Sequence, residues 1–105
     1  MALAKDIYRE TEAMPKSEVY GLQSQIRRSA VSVPSNIAEG HGRLHDGHFR
    51  QFLANARGSL FELQTQLELA SNLHFIASDK FEDLMKKSDE VARIINGLLA
   101  TLRGN

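Results

Sequence analysis

The stretch DGHFRQFLANARGSLFELQTQLELASN, residues 46–72, has the strongest periodicity in the sequence. Apolar side chains recur in it at alternating steps of four and three residues, which is the spacing of one face of an α-helix. The members of this stripe are Phe49, Leu53, Ala56, Leu60, Leu63, Leu67 and Ala70. The stripe predicts a long third helix whose apolar face forms the seam of a helical bundle.

Three further segments carry a helical period on either side of this stretch. A first helix is expected over residues 2–13 and ends at the first proline of the chain. A second helix is expected from near Glu18 to Gly40 and Gly42, two glycines that can adopt the left-handed backbone of a C-terminal cap. A fourth helix is expected to begin at Ser78, a candidate N-cap.

The connections between these segments are short, so consecutive helices are expected to be antiparallel neighbours. The predicted architecture is an all-α, antiparallel up-down-up-down four-helix bundle. It forms a single domain that spans residues 1–105.

The second helix contains a proline. Val33 and Ile37 keep the helical spacing on either side of Pro34, which predicts a continuous helix rather than a helix end. Because proline lacks an amide proton and clashes with the preceding turn, the helix is expected to bend there. Neighbouring serine hydroxyls and Asn36 are expected to bond the freed backbone groups.

Some apolar residues fall outside a single seam, and they predict self-association. Phe61 and Leu69 lie on the side of the third helix opposite its stripe, with Gly58 near them. A glycine inside a helix destabilises that helix by about 1 kcal/mol relative to alanine. The close approach of another helix would explain why a glycine is present at this position. The fourth helix is apolar over about half of its circumference. Its predicted seam comprises Phe81, Leu84, Met85, Val91, Ile95, Leu98 and Leu102, widened by Ile94 and Leu99.

The composition excludes several classes of protein. The chain has no cysteine, so disulfides and thiolate chemistry are excluded. No stretch approaches the run of about 20 apolar residues that spans a membrane. Charged side chains near Met1 do not fit a secretory signal. A cytoplasmic location is therefore expected.

Charge is balanced overall but unevenly distributed. Residues 21–60 carry five arginines and two acids, net +3, whereas residues 61–90 carry three lysines and seven acids, net −4. The planar guanidinium suits bidentate contacts to phosphate, so the arginines are the predicted nucleic-acid-binding residues. They are Arg27, Arg28, Arg43, Arg50 and Arg57. Pairing of these arginines with acids of the fourth helix or of a neighbouring subunit is the alternative.

Catalytic and metal sites are not predicted. His41, His45 and His48 have a helical spacing that could hold zinc beside Glu39 or Asp46, but glycines interrupt the segment. The serines lack a nucleophile-elbow context, and no glycine-rich phosphate loop is present. The chain is therefore expected to be neither an enzyme nor a cofactor-binding protein.

Two quoted segments resemble a known family. GLQSQIRRSAVSVPSNIAEGHGR, residues 21–43, followed by FRQFLANARGSLFELQTQLELA, residues 49–70, closely resembles the four-helix bundle proteins encoded in intervening sequences of bacterial large-subunit ribosomal RNA genes. That family is in turn related to the accessory variability protein of diversity-generating retroelements. The matched positions are Gln25, Arg27, Arg28, Ser32, Pro34, Asn36, Glu39, Gly40, Arg43, Phe52, Leu53, Gly58, Ser59, Glu62 and Leu63.

The resemblance implies a non-enzymatic subunit of a homopentameric barrel. For the retroelement relatives it also implies a basic surface that binds nucleic acid and a reverse transcriptase. This chain departs from the pattern in its neutral charge and in a first helix that is expected to be two to three turns short. The leading hypothesis is an RNA-binding role, and the alternative is a protein-interaction scaffold whose arginines pair within the oligomer.

Overall fold

The computed structural model describes residues 2–18, 20–43 and 47–102. Within these ranges the secondary structure is helical, and no strand occurs. The α-helices are α1 (Ala2–Thr11), α2 (Leu22–Gly42), α3 (Phe49–Asn72) and α4 (Ser78–Leu102), and a 3₁₀ helix, Lys16–Glu18, lies between α1 and α2. The predicted all-α class with four helices is confirmed.

The predicted start of α2 is wrong by four residues. The segment from Lys16 to Glu18 forms its own 3₁₀ turn, in which the Glu18 amide donates to the Pro15 carbonyl at 2.8 Å. The chain then turns, and α2 begins at Leu22, whose amide donates to the Glu18 carboxylate at 3.3 Å. The expected start of α3 at Asp46 lies outside the described residues, and α3 begins at Phe49.

The helix α2 runs without interruption through Pro34, as predicted. The Asn36 amide donates to the Ser32 carbonyl at 2.8 Å and to the Ser32 hydroxyl at 3.0 Å. These two bonds tie together the turn that contains the proline. The group that Pro34 leaves without an amide partner is the Ala30 carbonyl, and neither Asn36 nor a neighbouring serine bonds to it, so the expectation that they bond the freed group is wrong.

The predicted cap role of Gly40 and Gly42 is wrong, since both glycines lie within α2. Gly40 is buried where α2 crosses α3, and a Cβ built on it would lie 2.7 Å from Phe52 Cβ. Real Cβ contacts are essentially never that short, so a larger residue would push the two helices apart. The backbone of Gly47, in the connection to α3, has the positive φ of +76°.

The core forms along the predicted stripe of α3. Leu53, Leu60, Leu63 and Leu67 are fully buried there, and Ala56 lies among them. They pack against apolar residues of the other three helices and of the connecting segments, which gives one continuous core: Leu3, Ile7, Met14, Leu22, Ile26, Ala30, Val33, Ile76, Leu84, Ile95 and Leu99.

The predicted seam of α4 needs a correction at its C-terminal end. Leu99 is buried, whereas Leu98 is 38% exposed and Ile94 is 63% exposed. Because successive residues differ by about 100° around a helix, Leu99 lies closer than Leu98 to the face of Ile95. A polar residue, Ser88, completes this face: its hydroxyl donates to the Met85 carbonyl at 2.8 Å and accepts from the Gln64 amide at 2.8 Å.

Each helix packs on its neighbours in the order α1–α2–α3–α4, and α4 also packs on α1. The hydrogen-bonded partners run in opposite sequence order: on α2 and α3, Ser29 bonds Glu62 and Ser32 bonds Ser59. The helix α1 has 10 residues and α2 has 21, or about 15 and 31 Å of length. Beyond the reach of α1, α2 borders an apolar cleft of about 490 Å³ lined by Pro34, Ile37, Ala38 and His41.

A carboxylate on α1 joins this helix to α4. The Lys87 ammonium donates to Asp6 Oδ2 at 2.6 Å and lies 3.0 Å from Asp83 Oδ2, and Arg9 Nη2 lies 3.0 Å from Asp6 Oδ1. The hydrogen bond from Lys87 holds the pKa of the Asp6 carboxyl below its usual value, against the opposing effect of partial burial.

We predict that Gly40→Ala destabilises the fold by about 1–3 kcal/mol, because the added methyl group overpacks the crossing of α2 and α3. The matched control is Gly97→Ala in α4, where nothing lies within 4 Å of the new Cβ. That control is expected to stabilise by about 0.4–1 kcal/mol. Urea unfolding of both variants measures the difference, and equal midpoints for Gly40→Ala and wild type would contradict the packing role.

We predict that Asp6→Asn lowers the melting temperature at neutral pH. The lowered pKa means that the carboxylate stabilises the fold above its unfolded pKa of about 4 and that this contribution is lost as pH falls through the folded value. The difference from wild type should therefore shrink below about pH 4. Thermal melts across pH test this, with the exposed Glu12→Gln as control. A difference that stays constant down to low pH would argue against the Asp6–Lys87 pair.

Candidate nucleic-acid interface

The five predicted arginines lie on α2, on α3 and at the connection between them. Arg27 and Arg28 are in the second turn of α2, and Arg43 directly follows its last residue. Arg50 lies in the first turn of α3, and Arg57 lies two turns further on. The geometry of each guanidinium decides what it is able to bind.

Arg27 joins α2 to the C-terminal end of α1. Its Nε donates to the Thr11 hydroxyl at 3.0 Å and its Nη2 donates to the Tyr8 carbonyl at 3.1 Å. The guanidinium carbon lies 4.6 Å from the centroid of the Tyr8 ring, a cation–π distance. Nearby, the Gln23 amide donates to the Thr11 carbonyl at 2.8 Å. Since the last carbonyls of a helix lack intrahelical partners, Arg27 and Gln23 act as a side-chain cap for α1.

Arg28, the next residue, has no hydrogen bond to α1. Its side chain is exposed and forms no hydrogen bond or ion pair with any described residue. It borders the same surface cleft as Arg27. The sequence places these two arginines on opposite flanks of the α2 stripe, and in the structure only Arg27 bonds to α1.

Arg43 and Arg50 lie where α2 ends and α3 begins. Arg43 Nη1 is 3.7 Å from Glu39 Oε1, and its Nη2 is 3.4 Å from His48 Nδ1. Its guanidinium carbon lies 6.0 Å from the Phe52 ring centroid. Arg50 is exposed, and no described side chain bonds to it. The two arginines therefore share one end of the helix pair, but Arg43 already has a carboxylate partner.

Arg57 faces α4. Its Nη1 donates to Asn96 Oδ1 at 3.1 Å. Two turns further along the same flank, Gln64 Nε2 donates to the Ser88 hydroxyl and to Asp89 Oδ1, both at 2.8 Å. The seven-residue spacing of Arg50, Arg57 and Gln64 predicts one row along a flank of α3. Arg57 and Gln64 both bond α4, whereas Arg50 bonds no described side chain. Arg57 therefore bonds to α4, whereas Arg27 bonds to α1.

Charge compensation varies among the described cations, and the lack of an ion pair is not confined to the predicted arginines, since Lys16, Lys80 and Arg93 also have none. Arg9 and Lys87 pair with carboxylates at 2.6–3.1 Å. Among the described residues, no carboxylate lies within ion-pair distance of four of the predicted arginines. These four, hereafter the uncompensated arginines, are Arg27, Arg28, Arg50 and Arg57. An anion from outside the chain is the natural partner for such groups.

The histidine cluster does not gather as a metal site in the part of the chain that the structure describes. There, no group of three metal-binding side chains is found. His48 contacts Arg43, and exposed His41 makes an edge-on contact with the Phe49 ring at 6.2 Å between centroids. His45 and Asp46 lie outside the described residues.

Three residues near the arginines were not predicted from the sequence: Tyr8, Gln23 and Ser24. Tyr8 comes from α1 and reaches Arg27 only through the packing of α1 on α2. Ser24 lies four residues before Arg28, so helical spacing alone signals that pair. Tyr8 could not be assigned in the same way because no sequence spacing relates it to Arg27.

The architecture and the candidate interface define an all-helical protein in which four arginines of α2 and α3 have no acidic partner among the described residues. The model of the 23S rRNA-intervening sequence protein family matches residues 1–97, and the chain belongs to that family. No curated protein matches the chain. Across the described residues, none of the helices combines the length and the hydropathy required to span a membrane.

Proposed function

We propose that this protein is a non-enzymatic, nucleic-acid-associated protein that binds RNA through Arg27, Arg28, Arg43, Arg50 and Arg57. The observation that carries the proposal is the set of uncompensated arginines, because a guanidinium without a carboxylate partner is available to phosphate. Arg43, the fifth residue of the set, already lies 3.7 Å from Glu39 Oε1 and 3.4 Å from His48 Nδ1. Contacts of this kind give affinity that depends on salt rather than on sequence.

Several acids of this chain are engaged by side chains other than the predicted arginines. Asp6 and Asp83 are engaged by Lys87, and Asp89 is bonded by Gln64. Glu62 accepts hydrogen bonds from Ser29 and Gln66, at 3.3 and 3.2 Å. Three of the seven acids in residues 61–90 are engaged in this way, and Glu68, Asp79, Glu82 and Glu90 have no side-chain hydrogen bond or ion pair with a described residue. The positive potential of residues 21–60 lies on α2, α3 and their connection, where a polyanion can reach it.

The proposal includes an up-down-up-down bundle that assembles as a homopentamer in the cytoplasm, with a reverse transcriptase as a partner by family analogy. The opposite sequence order of the hydrogen-bonded pairs supports the antiparallel arrangement. Self-association is supported by exposed apolar side chains on the outer face of α3. Phe61 and Leu69 are 48% and 49% exposed there, and Gly58 has open space beside it.

A second candidate is a protein-interaction scaffold whose arginines pair with acids of neighbouring subunits. The same outer face of α3 favours it, because apolar side chains repeated along one exposed helix face are typical of protein contacts. Exposed Glu68, which has no ion pair among the described residues, would be one acid available to such an arginine.

We predict that each of two single substitutions of uncompensated arginines, Arg50→Gln and Arg57→Gln, weakens binding of a structured RNA. The magnitude of the salt slope should fall by about 1 for each phosphate that the variant no longer neutralises. The matched control is Arg93→Gln on α4, which removes the same charge from an exposed arginine outside the predicted set. Fluorescence anisotropy at several salt concentrations provides the measurement. If Arg93→Gln had the same effect as the other two, binding would reflect net charge and the assigned residues would be wrong.

The two candidate functions differ in what Arg28→Ala does to the assembly. The RNA-binding function predicts an intact oligomer that binds RNA poorly, and the scaffold predicts that the oligomer dissociates. Phe61→Ser is expected to dissociate the oligomer under either function, because it places a hydroxyl on the outer face of α3. Light scattering after size exclusion measures the mass, with the 97% exposed Tyr20→Ser as control. A wild-type chain that is monomeric would refute the assembly.

A further inference from the structure

A polar cleft of about 370 Å³ lies between the last turn of α1 and the first turns of α2. Its lining includes two arginines and a hydroxyl, but no acid among the described residues: Tyr8, Gln23, Ser24, Arg27 and Arg28. A cleft that collects donors and positive charge without a carboxylate has the chemistry of an anion site.

Arg27 is fixed in this cleft before any ligand arrives. Two of its five N–H groups are bonded to Thr11 and Tyr8, and its guanidinium lies over the Tyr8 ring. Three N–H groups, including both on Nη1, have no described partner. Because the side chain is already ordered, binding an anion here costs little further side-chain entropy.

Arg28 and Ser24 form the open side of the cleft. They are four residues apart on α2, so their side chains are neighbours on one face of the helix. Arg28 is exposed and has no described partner, and it can rotate onto an anion held by Arg27. The Gln23 amide donates to the Thr11 carbonyl, which holds this lining residue of the cleft in position.

We propose that this cleft binds one phosphate group of an RNA strand, with Arg27 as the fixed donor and Arg28 as the closing donor. The inference rests on the proposed RNA-binding function and names one contact point within it. A phosphodiester carries one negative charge and two outer oxygens, which the planar donor edge of a guanidinium matches. The cleft is open to the surface, so the chain of a polynucleotide can enter and leave on either side of the bound phosphate.

The test uses the intact protein and a fluorescent single-stranded RNA oligonucleotide at low salt. Arg28→Gln should weaken binding at least about fivefold and Ser24→Ala about twofold, since each removes a donor to the same phosphate. Arg93→Gln, the charge-matched control, should change binding less than about twofold. Thermal melts of each variant establish that it is folded, and Arg27 is left unaltered because it also caps α1.

Side-chain NMR identifies the source of the phosphate. The Nε–H resonances of Arg27 and Arg28 should shift with RNA and only weakly with inorganic phosphate. Shifts with inorganic phosphate but not with RNA would assign the cleft to free phosphate and overturn the proposal. RNA binding that is unchanged in Arg28→Gln and Ser24→Ala but weakened in Arg50→Gln would overturn the cleft and leave the proposed function standing. No RNA binding by the wild type would overturn both.

Discussion

The close approach of α2 and α3 is the constraint on which the rest of the structure depends. Gly40 presses against Phe52, and the hydroxyls of Ser32 and Ser59 lie 2.7 Å apart. Small and hydroxyl-bearing residues at a helix contact let two backbones approach closely, because no bulky apolar side chain lies between them. With this pair fixed, the α3 stripe faces the core and the arginines of both helices are left on the outside.

The α3 stripe could be predicted because seven apolar positions keep one period over more than 20 residues, and no other pattern competes with it. The continuity of α2 could be predicted for the same reason. The role of Gly40 could not be predicted. In the sequence, a glycine that caps a helix end looks the same as a glycine that lets a second helix pack closely against it. In α4, Ser88 was missed because a buried hydroxyl is indistinguishable in sequence from a solvated one. The predicted seam included Leu98 and treated Leu99 as widening it, whereas Leu99 is the buried residue of the two.

The arginines themselves could be identified from the sequence, but their roles could not. Arg27 and Arg28 are neighbours in sequence, yet one bonds the end of α1 and the other is exposed. Only the packing of Tyr8 and Thr11 against α2 distinguishes them. The structure also separates ion-paired cations, such as Lys87, from the uncompensated arginines, and Arg93 on α4 is likewise unpaired among the described residues.

The most direct test of the account is the affinity of the wild-type protein for RNA as a function of salt. If the arginines bind phosphates, the logarithm of the binding constant should fall linearly with the logarithm of the salt concentration. The slope should be about −0.7 for each phosphate bound on a single strand. Five bound phosphates would give a slope of about −3.5, and fewer would give a shallower one. Absence of binding at the lowest salt, or an affinity that does not change with salt, would contradict the account.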